Sequence, residues 1–343
     1  MKNVAFAVCF AMPLVLFAAR PSDEEMALYK ACNYGAEAKE CLRVVDQDGM
    51  PVAGARVWGG LQTRGDDSIP IRGYTDTNGE YVIQGKCTRR IRCEITKDGY
   101  YDSELVLSNY ASWHTPREGK WYPYGSQHTV ALKKILDPQP MGAHGERTSF
   151  KVPAYEEWVG FDCEKYDFVS PHGNGMENDM LLRFTLDNPT ADDYHMTMEV
   201  SFTNNPHAGA YEMERTGMSD FESVYHADTN AVYRQSFMYR FDKSPGKVAE
   251  YTTQLKSDKY LVFRTRTKVD AEGRLVSARY GKIYGDWNFA GPGGMSMAQF
   301  MFNTRPNDTN LEDGEAANRT LMNKREREER ERYKKKRKFL WPF

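Results

Sequence analysis

Turn dipeptides at regular intervals constrain the fold of this chain more than any other feature. Asp48-Gly49 and Asn78-Gly79 each follow a short run rich in β-branched residues. These dipeptides accept the positive φ angles that tight hairpin turns require. A strand and a turn roughly every ten residues predict an antiparallel β-sandwich over residues 41–136.

Length and composition fit more than one β-rich domain. The chain has 343 residues, of which 21 are tyrosine, and its formal net charge is −2. Single domains commonly run about 100–200 residues. Because the net charge is so small, the chain as a whole offers no field that would attract nucleic acid, and we expect no specific nucleic-acid partner.

The N-terminus has the pattern of an export signal over residues 1–19. Lys2 precedes the apolar run Val4–Ala19, and a charged segment beginning at Arg20 ends it. The run is shorter than the about 20 residues of a comfortable membrane span. We therefore expect an exported protein (periplasmic, outer-envelope-associated or extracellular) with no spanning segment in the mature form; an uncleaved anchor is the alternative.

Removal of the signal would leave five cysteines. In an oxidising compartment, four of them could form two disulfides with three pairings open: Cys32, Cys41, Cys87 and Cys93. The fifth, Cys163, is expected to be a buried, unpaired thiol. Because the chain has no C-x-x-C pair, these thiols do not indicate a zinc site.

A lead-in segment and a linker flank the predicted sandwich. Residues 20–40 are polar, and residues 24–38 have weak helical propensity. Pro138 and Pro140 predict an extended linker over residues 137–144.

Residues 145–312 predict a second domain of antiparallel strands, a sandwich or jelly-roll-like fold. Residues 195–202 alternate apolar and polar side chains with the period of a half-buried strand. Residues 260–269 and 274–284 flank Asp270-Ala271-Glu272-Gly273 and predict a hairpin. The predicted class is therefore all-β throughout, apart from the C-terminus.

Residues 313–343 form a charged tail with helix-favouring composition. Its basic block and aromatic end would suit association with an anionic surface; these residues are Lys334, Lys335, Lys336, Arg337, Lys338 and Trp341. A solvated helix with no partner is the alternative.

Two stretches carry a resemblance to a known family. The first is Asp48-Gly49-Met50-Pro51-Val52-Ala53-Gly54-Ala55-Arg56-Val57, and the second is Thr75-Asp76-Thr77-Asn78-Gly79-Glu80-Tyr81-Val82-Ile83, with Gly99-Tyr100 further on. This pattern, over roughly a third of the chain, resembles the carboxypeptidase regulatory-like domain, a transthyretin-like and CnaB-like sandwich. The resemblance implies a non-catalytic spacer or binding module of an exported protein. The whole chain is also similar to bacterial secreted proteins of unknown function with this module.

Catalytic and metal-binding motifs are not evident in the sequence. None of the seven histidines is followed three residues later by glutamate, so the pattern of a zinc peptidase is missing. We therefore predict no metal site, no cofactor and no catalytic residue. Paired carboxylates for glycoside hydrolysis could meet only in three dimensions.

An aromatic insert at residues 109–125 is the candidate binding site. It contains Trp113, Trp121, Tyr122 and Tyr124. Flat aromatic rings stack on sugar faces in many binding modules. The alternative is that these rings pack against the protein itself.

These observations predict an exported cell-envelope protein that binds or scaffolds, with a glycan or cell-surface polymer as its partner. Two alternatives are open. One is a carbohydrate-active hydrolase with catalytic carboxylates on the second domain, and the other is a purely structural assembly module.

Overall fold

The computed structural model describes most of the chain. The described residues are 21–65, 67–108, 110–144, 148–187, 190, 192–215, 219–254, 256, 258–285, 287–289, 294–297, 299–314, 320, 323–325 and 328–329. The predicted signal at residues 1–19 and the basic block at 334–341 lie outside them. None of the helices in this described part combines the length and hydropathy needed to span a bilayer.

The chain is all-β, as predicted, and forms two compact units. One unit is residues 1–98 with 103–132, and the other is residues 99–102 with 133–343. The first unit contains α1 (Asp23–Tyr34), β1 (Ala36–Asp46), β2 (Arg56–Gln62), β3 (Ser68–Tyr74), β4 (Glu80–Cys87), β5 (Ile91–Thr96), β6 (Ser103–Leu107), α2 (Tyr110–Trp113), β7 (Thr115–Arg117), β8 (Lys120–Tyr122) and β9 (Ser126–Leu132). The predicted helix over residues 24–38 thus ends at Tyr34, and the first strand begins at Ala36.

The first unit is a β-sandwich of two sheets. One sheet has the order β4-β1-β8-β7 with β9 also paired to β1, and the other has the order β3-β2-β5-β6. Strand β1 pairs antiparallel with β4 and parallel with β9. Alternate residues of the strands face the core, and these are buried: Ala38, Leu42, Val44, Val57, Leu61, Ile71, Ile83, Ile91, Ile95, Leu105, Val130 and Leu132.

The sequence motif folds into two turns that are hydrogen-bonded to each other. The Thr75 hydroxyl donates to the Val52 carbonyl at 2.7 Å and accepts from the Ala55 amide at 2.9 Å. Gly79 has φ +75° and lies so close to β1 that a Cβ would be 2.4 Å from the Val44 carbonyl oxygen. The glycine is therefore required both by its backbone angle and by the close approach.

The second unit contains fourteen further strands among the described residues. They are β10 (Gly142–His144), β11 (Thr148–Lys151), β12 (Trp158–Asp162), β13 (Asp167–Phe168), β14 (Met180–Asp187), β15 (Tyr194–Ser201), β16 (Gly209–Glu214), β17 (Ser236–Lys243), β18 (Glu250–Thr253), β19 (Lys259–Val269), β20 (Leu275–Tyr284), β21 (Asn288–Phe289), β22 (Gly294–Met297) and β23 (Gln299–Phe302). They form sheets of five, six and three strands, with the orders β10-β23-β20-β19-β16, β13-β12-β14-β15-β17-β18 and β11-β22-β21. All these strand pairings are antiparallel.

The period-2 pattern of residues 195–202 is confirmed. Met196, Met198, Val200 and Phe202 are all buried, and β15 pairs with β14 and β17. The predicted hairpin is also present, since β19 and β20 flank a turn in which the Asp270 carboxylate accepts from the Arg274 amide at 2.8 Å. Two residues of the predicted linker are hydrogen-bonded within this unit, because the Asp137 amide donates to the buried Glu312 carboxylate and the Gln139 amide donates to the Glu312 carbonyl.

Candidate functional site

The aromatic insert divides into a buried part and an exposed part. Trp121 is fully buried, and its indole Nε1 donates to the Cys87 carbonyl at 2.8 Å. The Tyr110 ring meets it edge-on, with ring centroids 5.5 Å apart. A stacking role for Trp121 is therefore a correction to the sequence interpretation, because this ring anchors the insert in the core and offers no face to a ligand.

Tyr122 and Tyr124 lie on the outer side of the sheet, opposite to the side on which Trp121 is buried. Tyr122 follows Trp121 on β8, so its side chain points outward, and it is 39% exposed. The Tyr124 ring is tilted against it, with centroids 6.2 Å apart. Because side chains alternate along β8, Trp121 anchors the strand in the core and Tyr122 faces the surface.

Polar groups of β1 and β4 surround these two rings. The Gln84 amide donates to the Tyr124 hydroxyl at 3.3 Å and to the Glu37 carboxylate at 3.2 Å. The ammonium groups of Lys39 and Lys120 lie 5.9 and 5.2 Å from the Tyr124 ring centroid. We call this surface, composed of Glu37, Lys39, Gln84, Lys120, Tyr122 and Tyr124, the tyrosine face.

Trp113 is separate from the buried anchor. It ends α2 and is 79% exposed. Thr115, two residues later, pairs with Tyr122 across β7 and β8. Three of the four predicted aromatic residues therefore have ring surface available to a ligand, and Trp121 does not.

A fully buried carboxylate, Glu40, was not identified from the sequence. It occupies an inward position of β1 between Ala38 and Leu42. Its Oε2 lies 2.6 Å from Nε2 of His128 on β9, and its Oε1 accepts a hydrogen bond from the Tyr110 hydroxyl. One polar residue within an alternating apolar series was the available signal, but residue 40 was assigned to the lead-in segment and the predicted sandwich began only at residue 41.

His114 completes this buried cluster. Its ring stacks on Tyr110 at a centroid distance of 3.9 Å, and its Nε2 lies 3.4 Å from Oε1 of Glu40. Burial first, and then the hydrogen bond to the Glu40 carboxylate, raises the pKa of Tyr110 far above its ordinary value, so the hydroxyl stays a donor. The cluster holds the start of the insert against β1 through Tyr110, and it holds β9, the strand that follows the insert, through His128.

The five described cysteines that follow the signal segment are all free thiols. The two disulfides expected from Cys32, Cys41, Cys87 and Cys93 are therefore not formed in this structure. Cys87 and Cys93 are instead buried as apolar core residues. Burial, the largest effect, raises the pKa of the Cys87 thiol to about 11 and that of Cys93 to about 12, which makes both poor nucleophiles.

Two buried carboxylates of the second unit are bound by one arginine. Asp162 and Asp179 are almost completely buried. Arg266 lies 2.9 Å from a carboxylate oxygen of each. Asp162 also accepts hydrogen bonds from backbone amides, including that of Met176 at 2.8 Å. Both carboxylates are therefore ion-pair partners of Arg266 within the fold.

Metal ligation has no support in the described part of the chain. No group of three or more His, Cys, Asp or Glu side chains there is arranged to hold a metal ion. Within the Glu40 cluster, the 2.6 Å contact to His128 is a hydrogen-bond distance. The cluster is therefore a hydrogen-bonded anchor of the fold.

Comparisons with known proteins give distant matches only. No protein-family model matches the chain, and the search of curated proteins returns no match. Among solved structures, the chain is similar to 3-chlorocatechol 1,2-dioxygenase from Rhodococcus opacus 1CP, with 13% identity over 30% of this chain and 62% of that one and a TM-score of 0.25. It is similar to hydroxyquinol 1,2-dioxygenase from Pseudomonas putida DLL-E4, with 16% identity over 29% and 57% of the two chains and a TM-score of 0.21.

The major pilin subunit BcpA of Bacillus cereus is a further match. Its identity is 10%, over 81% of this chain and 100% of that chain, with a TM-score of 0.20. The chain spans less than two thirds of the length of either dioxygenase. At these TM-scores none of the alignments supports an inference about function.

Proposed function

We propose that this protein is an exported component of the cell envelope that binds a polysaccharide through the tyrosine face. We further propose that its first unit is a carboxypeptidase regulatory-like domain serving as the binding module. The observation that carries the proposal is the pair formed by the exposed Tyr122 and the half-buried Tyr124, which lies beside the Gln84 amide on the outer face of the sheet. Such a combination of apolar ring surface and fixed hydrogen-bonding groups suits pyranose recognition.

The buried cluster supports this assignment by fixing the geometry of the insert. Trp121 and Tyr110 anchor the insert through the Cys87 carbonyl and the Glu40 carboxylate. The adjacent Tyr122 is then presented outward without a large loss of conformational freedom on binding. Pre-organisation of this kind lowers the entropic cost of association.

The charges around the rings favour a polysaccharide that carries carboxylate or sulfate groups. Lys39 and Lys120 lie within 6 Å of the Tyr124 ring centroid, and both side chains extend from the outer face. Glu37 is the one carboxylate of this surface, and it already accepts a hydrogen bond from Gln84. An acidic sugar can therefore stack on a ring and pair with a lysine at the same time.

A glycan panel with matched acidic and neutral polysaccharides tests the proposal. The full chain is compared with the Tyr122→Leu/Tyr124→Leu double variant and with a control, Tyr74→Leu. Tyr74 is 68% exposed in the same unit but lies on β3, in the other sheet. We expect an acidic glycan to bind the native protein and the control, and the double variant to lose about tenfold or more in affinity.

A protein truncated after residue 333 lacks the basic block from Lys334 onward but keeps Asp313 and its ion pair with Lys282, so it separates this binding from adsorption by the basic tail. Salt-sensitive binding that disappears with the tail would mean simple electrostatic adsorption. Binding that persists in the truncated protein and in the double variant would overturn the assignment to the tyrosine face. Lys120→Gln removes one positive charge beside the Tyr124 ring. It is expected to weaken the binding of acidic glycans more than the binding of neutral ones.

A further inference from the structure

A pocket in the second unit has a lysine in its wall. Its volume is about 360 Å³. The lining residues are Lys133, Glu212, Met213, Glu214, Glu222, Val224 and Tyr260. Every one of them belongs to the second unit. The pocket is distinct from the tyrosine face, and its chemistry does not depend on the proposed function.

Lys133 is buried with backbone carbonyl groups as its hydrogen-bond acceptors. Only 9% of its surface is exposed. Its ammonium donates to the carbonyl oxygens of Glu222 and Ser223, at 3.1 and 2.7 Å. Among the described residues, no carboxylate forms an ion pair with Lys133, although Glu222 lines the same pocket. A buried ammonium held by carbonyl groups is costly compared with one that is paired with a carboxylate.

The carboxylates that line the pocket are engaged by other cations. Arg215 holds Glu222 through two hydrogen bonds, at 2.6 and 2.8 Å. Lys259 forms an ion pair with Glu214. The remaining acidic residue of the lining, Glu212, is exposed to solvent. Glu222 still favours the ammonium form of Lys133, but this effect is smaller than those of burial and of the neighbouring Lys282, which oppose it.

A second buried lysine lies beside the first. The Nζ atoms of Lys133 and Lys282 lie 5.2 and 4.6 Å from the centroid of the Phe221 ring. Lys282 forms an ion pair with the buried carboxylate of Asp313 at 3.0 Å. Burial first, and then the charge of Lys282, lowers the pKa of Lys133 to about 8. A desolvated lysine beside another cation is the arrangement that converts an amine into a nucleophile.

We infer that Lys133 is a reactive amine that forms an imine with a small uncharged aldehyde or ketone entering the pocket. The neutral Nζ attacks the carbonyl carbon, and the carbonyl oxygen takes up a proton to give a carbinolamine. Loss of that oxygen as water leaves the C=N bond, so no oxidant or reductant is consumed. The Met213 and Val224 side chains form the apolar part of the pocket wall, while the exposed carboxylate of Glu212 disfavours anionic carbonyl compounds.

Reductive trapping tests this inference on the full chain. The protein is incubated with butanal and cyanoborohydride, and the alkylated lysines are identified by peptide mass mapping over time. The control site is Lys247, which is exposed in the same unit. Near pH 7 we expect Lys133 to be alkylated about tenfold faster or more, because a larger fraction of its amine is neutral. An equal or slower rate at Lys133 would overturn the inference.

The pH profile of the labelling rate gives a second, independent readout. The titratable groups that face Lys133 are Lys282, Tyr260, Glu212, Glu214 and Glu222. The rate at Lys133 should level off above about pH 8, whereas the rate for a free lysine derivative in the same mixture should keep rising to about pH 10. A profile at Lys133 that matches that of the free lysine derivative would contradict the assignment. Lys133→Arg should remove the fast-labelled peptide while leaving the labelling of Lys247 unchanged.

Discussion

The Nε2 atom of His128 lies 2.6 Å from the Glu40 carboxylate in the interior of the first unit. Strands β1 and β9 carry these two residues and pair in parallel. The same carboxylate accepts from Tyr110, which lies in the aromatic insert. One buried side chain therefore connects the sheet to the segment that presents the tyrosine face.

Replacing Glu40 should destabilise the first unit. Glu40→Ala leaves the buried Tyr110 hydroxyl and the half-buried His128 ring without their acceptor, and the loss of an acceptor for a buried group costs about 1–3 kcal/mol. We expect the free energy of unfolding, measured by urea denaturation of the full chain, to fall by about 3 kcal/mol. Glu94→Ala, at an exposed position of β5, is the control and should change it by about 0.5 kcal/mol or less. Equal effects of the two changes would contradict the anchoring role of Glu40.

Replacing each tryptophan of the insert by alanine should reduce stability by very different amounts. Trp121→Ala removes a fully buried ring and its hydrogen bond to Cys87, at a cost of about 3–5 kcal/mol. Trp113→Ala changes a ring that is 79% exposed and should cost about 0.5 kcal/mol or less. Thermal unfolding monitored by circular dichroism distinguishes them. A large loss of stability at Trp113 would show that this ring packs against the protein.

Gly79→Ala should be more damaging than Gly49→Ala. Both glycines have positive φ, at +75° and +80°, so both substitutions carry a backbone cost of about 1 kcal/mol. Only at Gly79 would the new Cβ meet a backbone atom, the Val44 carbonyl oxygen at 2.4 Å, while the space around Gly49 is open. We expect the urea midpoint to drop further for Gly79→Ala. Similar midpoints would mean that the close approach to β1 is not a constraint.

Removing Arg266 should destabilise the second unit in a pH-dependent way. Burial raises the pKa of Asp179, and Arg266 opposes that rise. In Arg266→Met the folded-state pKa of Asp179 rises further above its unfolded value, so stability is lost as pH rises through the folded value. We expect a loss of about 3–5 kcal/mol near pH 8 and a smaller loss near pH 5.

The control for that prediction is Arg274→Met. Arg274 pairs with Asp270 on the exposed hairpin turn, and its side chain is 74% exposed. Such an exposed pair contributes little to stability, so we expect Arg274→Met to lower the free energy of unfolding far less than Arg266→Met does. A pH-independent loss for Arg266→Met would indicate that Asp179 is not the group left uncompensated.

Local patterns in the sequence predicted the fold well where they were complete. The alternation of residues 195–202 and the turn at Asp270 specified a strand and a hairpin because periodicity and turn chemistry are local properties. Glu40 and Arg266 could not be found this way. Their roles depend on partners such as His128 and Asp179, which are far away in the chain and meet them only through strand pairing.

In the aromatic insert, too, the local sequence pattern does not reveal which side chains are buried, because that depends on strand pairing. Trp121 and Tyr122 are adjacent and equally suited to sugar stacking by composition. Which one faces outward is determined by the register of β8 against β1, where Glu37 pairs with Lys120. A shift of one residue would have exposed Trp121 and buried Tyr122.

Calorimetric titration of the acidic glycan chosen by the panel into the full chain and into Tyr124→Leu tests the central claim most directly. The native protein and the Tyr74→Leu control should bind the glycan with the same affinity. The Tyr124→Leu variant should bind it at least about tenfold more weakly, while its thermal stability stays the same as that of the native protein. Equal affinity of Tyr124→Leu and the native protein, with both correctly folded, would contradict glycan binding at the tyrosine face.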